Sequence, residues 1–278
     1  MRLFGYSTDH STDPASWITG LRQAGYTAAG NPPVPLDSTD SAALDSYIKA
    51  AAAADIIFAE VGGWSNPIDP DPLKASKSIA STQQALSRAE RLGARCCVNI
   101  AGSCNPVHWD GPHPDNFTIG TFDRIVQSVR EIIDGVNPKR TFYTLETMPW
   151  IFPSSPDEYL ALIKAIDRPA FAVHLDPINM INCPDRAYHS GNFIRECFEK
   201  LGPWIKSCHA KDFILRNHLT LRIDESRPGT GMLDYDTYLR ELAKLDPDVP
   251  LVIEHLPDEE YPPAVDYLHC KLEELNLA

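Results

Sequence analysis

The 278-residue chain sets 25 Lys and Arg against 38 Asp and Glu, a net charge of −13, and this argues against a nucleic-acid partner, because phosphate binding needs a basic stripe. Hydrophobic residues make up 43% of the chain, ample for a core and well clear of a disordered profile. No apolar run approaches the length needed to span a bilayer.

The first residues, Met1–Ser11, lack a long apolar segment and a small-residue cleavage site, so no signal peptide is expected and the chain reads as cytoplasmic. Its seven cysteines are Cys96, Cys97, Cys104, Cys183, Cys197, Cys208 and Cys270. None belongs to a CxxC pair, which speaks against a zinc ribbon or a redox motif. Several lie inside apolar runs, where a reduced thiol acts as a small hydrophobe, and a reducing compartment is the simpler setting.

One unit repeats along the chain: a short apolar run, a polar loop, then a stretch with helical period. The apolar runs are Leu3–Ser7, Tyr26–Gly30, Ile56–Gly62, Cys96–Gly102, Thr141–Thr147, Ala170–Pro177, Ile205–Asp212 and Leu251–Leu256. Between them, Phe122, Ile125, Val126, Val129, Ile132 and Val136 recur at helical spacing, as do Tyr235, Tyr238, Leu239, Leu242 and Leu245. Ser155-Pro156-Asp157-Glu158 marks a helix start, and Gly25, Gly93 and Gly202 mark stops. Alternating strands and helices imply a parallel sheet with right-handed crossovers. Eight such repeats close most naturally into a (β/α)8 TIM barrel, expected as one domain over residues 1–278. A doubly wound open sheet is the alternative, disfavoured because no GxGxxG follows the first strand.

In a barrel the chemistry sits at the C-terminal ends of the strands. The last four predicted strands each end in a metal-ligating residue: Glu146, Asp176, His209 and Glu254. Side chains alternate faces along a strand. An inward Val252 therefore carries Glu254 inward, and Thr144 pairs with Glu146, His174 with Asp176, and Ser207 with His209 and Lys211. Cys208 and His255 then face the helices as packing residues. Three carboxylates and one imidazole on neighbouring strands form an oxygen-rich set suited to one divalent ion, Mn²⁺ first, with Mg²⁺ or Co²⁺ as alternatives. Without a cation, the three acids would resist ionisation together.

These motifs, Leu-Glu146, His-Leu-Asp176, Cys-His209-Ala-Lys-Asp and Ile-Glu254-His, with Arg227-Pro-Gly-Thr-Gly231, resemble the xylose-isomerase-like barrels of the sugar phosphate isomerase/epimerase superfamily. The resemblance runs over nearly the whole chain and is strongest from residue 141 onward. It implies that Glu146, Asp176, His209 and Glu254 hold one divalent metal, and that Glu146 and Glu254 serve as the acid–base pair. Epimerases of this group often carry a substrate-binding histidine three residues after the metal aspartate; this chain has Asn179 there. The related endonuclease branch uses more metal histidines and a basic surface, which this acidic chain lacks.

Such a site abstracts a proton beside a carbonyl, with the metal stabilising the enediolate and a carboxylate acting as base. Proton return gives epimerisation or isomerisation. Loss of a β-substituent gives a lyase or dehydratase acting on an oxidised sugar or glycoside. A non-catalytic sugar-binding barrel is a third reading, opposed by the two inward glutamates. The loop after the fourth strand offers Trp109 to stack on a sugar face (or to plug the barrel mouth) and His113 to bond a hydroxyl. Trp64 is a further candidate contact. Lys211 and Arg227 are expected to orient substrate oxygens, Lys211 alternatively to brace a metal carboxylate, and the Arg227–Gly231 loop to form part of a lid. The apolar segment Glu146–Pro153 walls the pocket or forms a contact in a homo-oligomer. The expected partner is a small carbohydrate, with neither nucleic acid nor membrane.

Overall fold

Residues 1–6, 13–38 and 41–277 are described by a computed structural model; Ser7, the last residue of the first predicted strand, lies outside them. The predicted apolar runs become strands β1 (Arg2–Gly5), β2 (Ala28–Ala29), β3 (Ile57–Phe58), β4 (Glu60–Gly62) and β5 (Cys96–Asn99). They continue as β6 (Phe142–Glu146), β7 (Phe171–Leu175) and β8 (Ile205–Ala210), then β9 (Asp212–Arg216), β10 (Arg222–Ser226) and β11 (Pro250–Ile253).

Seven strands form one parallel sheet in the order β1-β11-β8-β7-β6-β5-β4. β2 pairs with β3, Ala28 opposite Ile57. Thr27 N donates to Leu3 O at 3.0 Å, and Ala59 N donates to Ala29 O at 2.7 Å. The β2 segment therefore bridges β1 and the stretch 57–62, in which β3 and β4 are one strand interrupted at Ala59. The ring closes as a (β/α)8 barrel, as the sequence pattern predicts.

The helices follow their signals. Pro156–Ile166 starts at Ser155, whose side chain accepts Glu158 N, and Pro72–Leu92 ends at Gly93 in the left-handed conformation. Ile119–Val136 buries Ile125, Val126, Val129 and Ile132, the face its periodicity marks. The antiparallel hairpin β9–β10 has no counterpart among the predicted elements. Its second strand, Arg-Ile-Asp-Glu-Ser, has no apolar run to announce it. Asp224 instead bridges the pair, taking Arg216 at 2.9 Å and Arg222 at 2.8 Å.

Three buried tyrosines on the surrounding helices reach the strands that carry the inward polar residues. Tyr159 OH stands 2.5 Å from Leu145 O and 3.0 Å from Ala172 O, and accepts Leu145 N at 3.1 Å, linking β6 and β7. Tyr238 OH donates to His209 O at 2.8 Å and Tyr235 OH to Lys211 O at 2.9 Å, fixing the end of β8. A buried backbone group deprived of its partner costs about 1–3 kcal/mol. Tyr159→Phe should therefore lower stability by about that amount, read as an earlier urea midpoint at unchanged slope; an unaltered midpoint would mean that this hydroxyl does not brace the two strands.

Candidate metal centre

Four neighbouring strands, in sheet order β11-β8-β7-β6, bring the predicted ligands together. Glu146 closes β6, Asp176 follows β7, His209 lies in β8 and Glu254 follows β11. All four are buried, and one ligand atom from each lies within 4.8 Å of the others. His209 Nδ1 is the hub: 2.9 Å from Glu254 Oε1, 3.2 Å from Glu146 Oε1 and 3.5 Å from Asp176 Oδ2. The inward alternation of Ser207, His209 and Lys211 holds, and all three are buried.

Local hydrogen bonds aim the carboxylates. Asp176 Oδ1 accepts Ile178 N at 2.9 Å and Asn179 N at 3.3 Å, leaving Oδ2 turned to the hub. Asn179 Nδ2 donates to Glu146 Oε1 and to Thr147 O, both at 3.0 Å. Asp176 Oδ2 and Glu254 Oε1 lack any well-formed hydrogen bond although fully shielded from solvent. Besides His209, the Lys211 ammonium faces them, at 2.8 Å and 2.6 Å.

The charges explain the protonation pattern. Burial opposes ionisation of Asp176 and Glu254, yet Lys211 and His209 outweigh it and hold both well below the usual carboxylate range. At Glu146 burial wins and the pKa rises, with His209 and Lys211 offsetting only part. His209, against the pull of burial, is held well above the usual imidazole range by Glu254 and Glu146. Three carboxylates thus face two cations, and Glu146 is the one left short. Two unsatisfied inward oxygens, a third acid nearby and an imidazole nitrogen at their centre fit a divalent cation with oxygen and nitrogen ligands.

A cavity of about 600 Å³ opens over this centre. Glu146 and Glu254 line it, as do Asn179 and the indoles of Trp64, Trp109 and Trp150. Trp64 and Trp109 are each 42% exposed. Met148 and Pro149 also line it, so part of the apolar Glu146–Pro153 segment is a pocket wall.

Other predicted residues lie elsewhere. Lys211 is buried among Asp176, Glu254 and Glu146 and does not reach the cavity wall. Arg227 Nε meets Glu260 at 2.5 Å beside an adjoining cavity that shares Glu225 and His255 with the first. The loop after it is tied down, Gly229 N and Gly231 N both donating to Asp212 Oδ2. His113 caps the short 3-10 helix Pro114–Phe117, its Nδ1 accepting Asp115 N at 3.2 Å. His255 departs from its expected helix-facing packing role. β11 stops at Ile253, and His255 takes a positive φ of 58°, so strand alternation no longer applies. Its ring is exposed, lines the cavity and stands 3.3 Å from Glu225.

The sequence reading passed over Tyr6, Glu225 and Glu60. Glu60 had a visible signal: a lone acid inside the apolar run Ile56–Gly62. It is fully buried beneath the centre.

A family model described as xylose isomerase-like TIM barrel matches residues 19–269. No curated protein matches the chain significantly. Solved structures with the same fold include D-psicose 3-epimerase in the presence of D-fructose, at 16% identity and a TM-score of 0.71, covering 99% of both chains. A probable 3-DHS dehydratase from Bacillus anthracis gives 14% and 0.72, over 96% of this chain and 98% of that one. Endonuclease IV from Thermus thermophilus gives 16% and 0.73, over 99% and 100%.

Metal binding at this centre must displace the proton that the acids hold on His209, since Nδ1 faces the hub. Affinity for Mn²⁺ should therefore rise between about pH 6 and 8, by up to about tenfold per unit for each proton released. Calorimetry in buffers of unequal protonation enthalpy measures that release. Affinity independent of pH, with no proton released, would contradict this arrangement of charges.

Proposed function

The chain belongs to the xylose isomerase-like TIM barrel family, and on that premise we propose that it is a divalent-metal-dependent isomerase or epimerase of an uncharged sugar or sugar-like hydroxy-carbonyl compound. One observation carries the reading. Of the four ligand candidates, Asp176 and His209 are wholly enclosed, whereas Glu146 and Glu254 belong both to the cluster and to the cavity wall. These two carboxylates alone can hold an ion and touch a substrate.

A bound divalent ion supplies Lewis acidity to a carbonyl oxygen and its neighbouring hydroxyl. The protein's own groups move the proton. Glu254, kept ionised by His209 and Lys211, takes it from the carbon beside the carbonyl. Glu146, whose carboxyl is pushed toward the protonated form by burial, returns one. Two carboxyls with pKa values driven apart are how acid and base roles are divided. The Asn179 amide steadies Glu146 by donating to its Oε1.

The cavity supports a neutral substrate. Among the described residues its wall holds no lysine or arginine but adds Glu225 and Asp110 to the two glutamates. A phosphate or phosphodiester would meet four carboxylates there, with His255 as the cationic group on the wall, in keeping with the net charge of −13 and weighing against a nucleic-acid substrate. The indoles offer flat apolar faces to the C–H faces of a sugar ring. The ion this oxygen-rich set suits is Mn²⁺, with Mg²⁺ or Co²⁺ as alternatives. A second reading, elimination of a β-substituent after the same proton abstraction, is favoured by Asn179 in place of the epimerase histidine and by the fold shared with the probable 3-DHS dehydratase.

Glu254→Gln and Glu146→Gln should each lower turnover about a hundred- to ten-thousand-fold while weakening metal binding far less. In D₂O the wild-type protein should place deuterium on the carbon beside the substrate carbonyl, seen by NMR, and the same spectra separate epimer, isomer and dehydrated product. Near-wild-type turnover in both variants, or no deuterium with any accepted substrate, rejects the mechanism. Trp109→Ala should raise KM more than it lowers kcat; unchanged kinetics would remove Trp109 from substrate binding.

A further inference from the structure

Beneath the metal centre lies a second buried polar group that the proton-transfer reading leaves unused. Glu60, the first residue of β4, is enclosed in the barrel interior. Tyr6 OH donates to its Oε1 at 2.8 Å, and Ser207 Oγ donates to its Oε2 at 2.9 Å. His174 Nδ1 lies 3.4 Å from Oε2, and the His174 ring packs edge-on against His209 with centroids 4.0 Å apart. Groups from β7, β8 and the end of β1 therefore hold one carboxylate in a single orientation.

That orientation faces His209. The imidazole turns Nδ1 to the ligand hub, and its other nitrogen, Nε2, points away into the interior. Nε2 is wholly buried without a hydrogen bond, and Glu60 Oε1 stands 3.8 Å from it. A metal-ligating imidazole ordinarily donates its second N–H to a carboxylate or carbonyl, which fixes the tautomer and the ring plane. We infer that Glu60 is the positioning carboxylate of His209, holding the proton on Nε2 so that Nδ1 is presented to the metal as a lone pair. The inference rests on the metal site proposed above.

Glu60, Cys96 and His174 also form a cluster of their own that could hold an ion. The chemistry of its members opposes that use. Both Glu60 oxygens already accept a hydroxyl, and burial pushes the Cys96 thiol far above its ordinary range, so it stays protonated. The group reads as a cradle for Glu60.

Mn²⁺ titrated calorimetrically into wild type and Glu60→Gln tests this. Loss of such an outer partner typically costs about 10–100-fold in metal affinity, and that loss is expected here with one ion still bound per chain. In ¹⁵N-labelled metal-free protein at high pH, wild type should show the proton on His209 Nε2, and Glu60→Gln should show a tautomer mixture. The paired variant Tyr6→Phe with Ser207→Ala leaves the acid in place but frees it, and should give a smaller loss of the same kind if Glu60→Gln does not fold. Affinity and tautomer both matching wild type would overturn the inference even if thermal stability falls, because a merely structural role moves only stability. Two ions in wild type and one in Glu60→Gln would overturn it in favour of a second metal site. Failure of wild type itself to bind would instead remove the metal reading beneath both.

Discussion

Three acids, Glu146, Asp176 and Glu254, lie together out of water against the buried cations Lys211 and His209. Taking a charge from water into the interior is costly unless it is paired and hydrogen-bonded. Lys211 and the His209 imidazolium neutralise part of the set, and Glu146 is left with its carboxyl shifted toward the neutral form. A divalent ion, if these residues hold one, would offset the imbalance by supplying two charges in exchange for the imidazole proton, and that exchange would drive its binding.

Such a centre must be held rigidly, because the acids would otherwise separate to relieve their repulsion. The barrel does this through its strand ends, which are tethered from both sides. From outside, Tyr159, Tyr235 and Tyr238 hydrogen-bond backbone groups of the strands that bear the ligands. From above, the Asx-type turn at Asp176 and the amide of Asn179 fix two carboxylates.

The barrel and the convergence of Glu146, Asp176, His209 and Glu254 were legible because both depend on short-range periodicity. Alternation along Thr144–Glu146, Ser207–Lys211 and Val252–Glu254 transfers directly into a shared face, and apolar runs mark buried parallel strands. Whatever depends on where a chain turns was not legible. His255 lies one residue past the point where β11 has ended, and a left-handed backbone re-aims it into the cavity. Lys211 takes the second of its two expected places, against the carboxylates of the cluster, whereas Arg227 finds Glu260 through a contact between distant segments that has no local signature. The β9–β10 hairpin was hidden because β10, Arg222–Ser226, carries charged and polar residues in place of an apolar run and is held by its ladder to β9. Glu60 was the opposite case: its acid stood out in an apolar strand, but its partners Tyr6, Ser207 and His174 come from three other parts of the barrel.

That hairpin has an evolutionary consequence. β9 and β10 pair only with each other, and their root is pinned where Asp212 accepts the amides of Gly229, Gly231 and Leu233. The ladder shares no hydrogen bonds with the strands that carry the metal ligands, yet Glu225 on it reaches the cavity and stands 3.7 Å from Lys211. The outer part of the hairpin, away from Glu225 and the Asp212 root, can therefore change in length or sequence without unmaking the barrel's ladder, whereas Glu225 ties any change at the cavity side to the charge balance at Lys211.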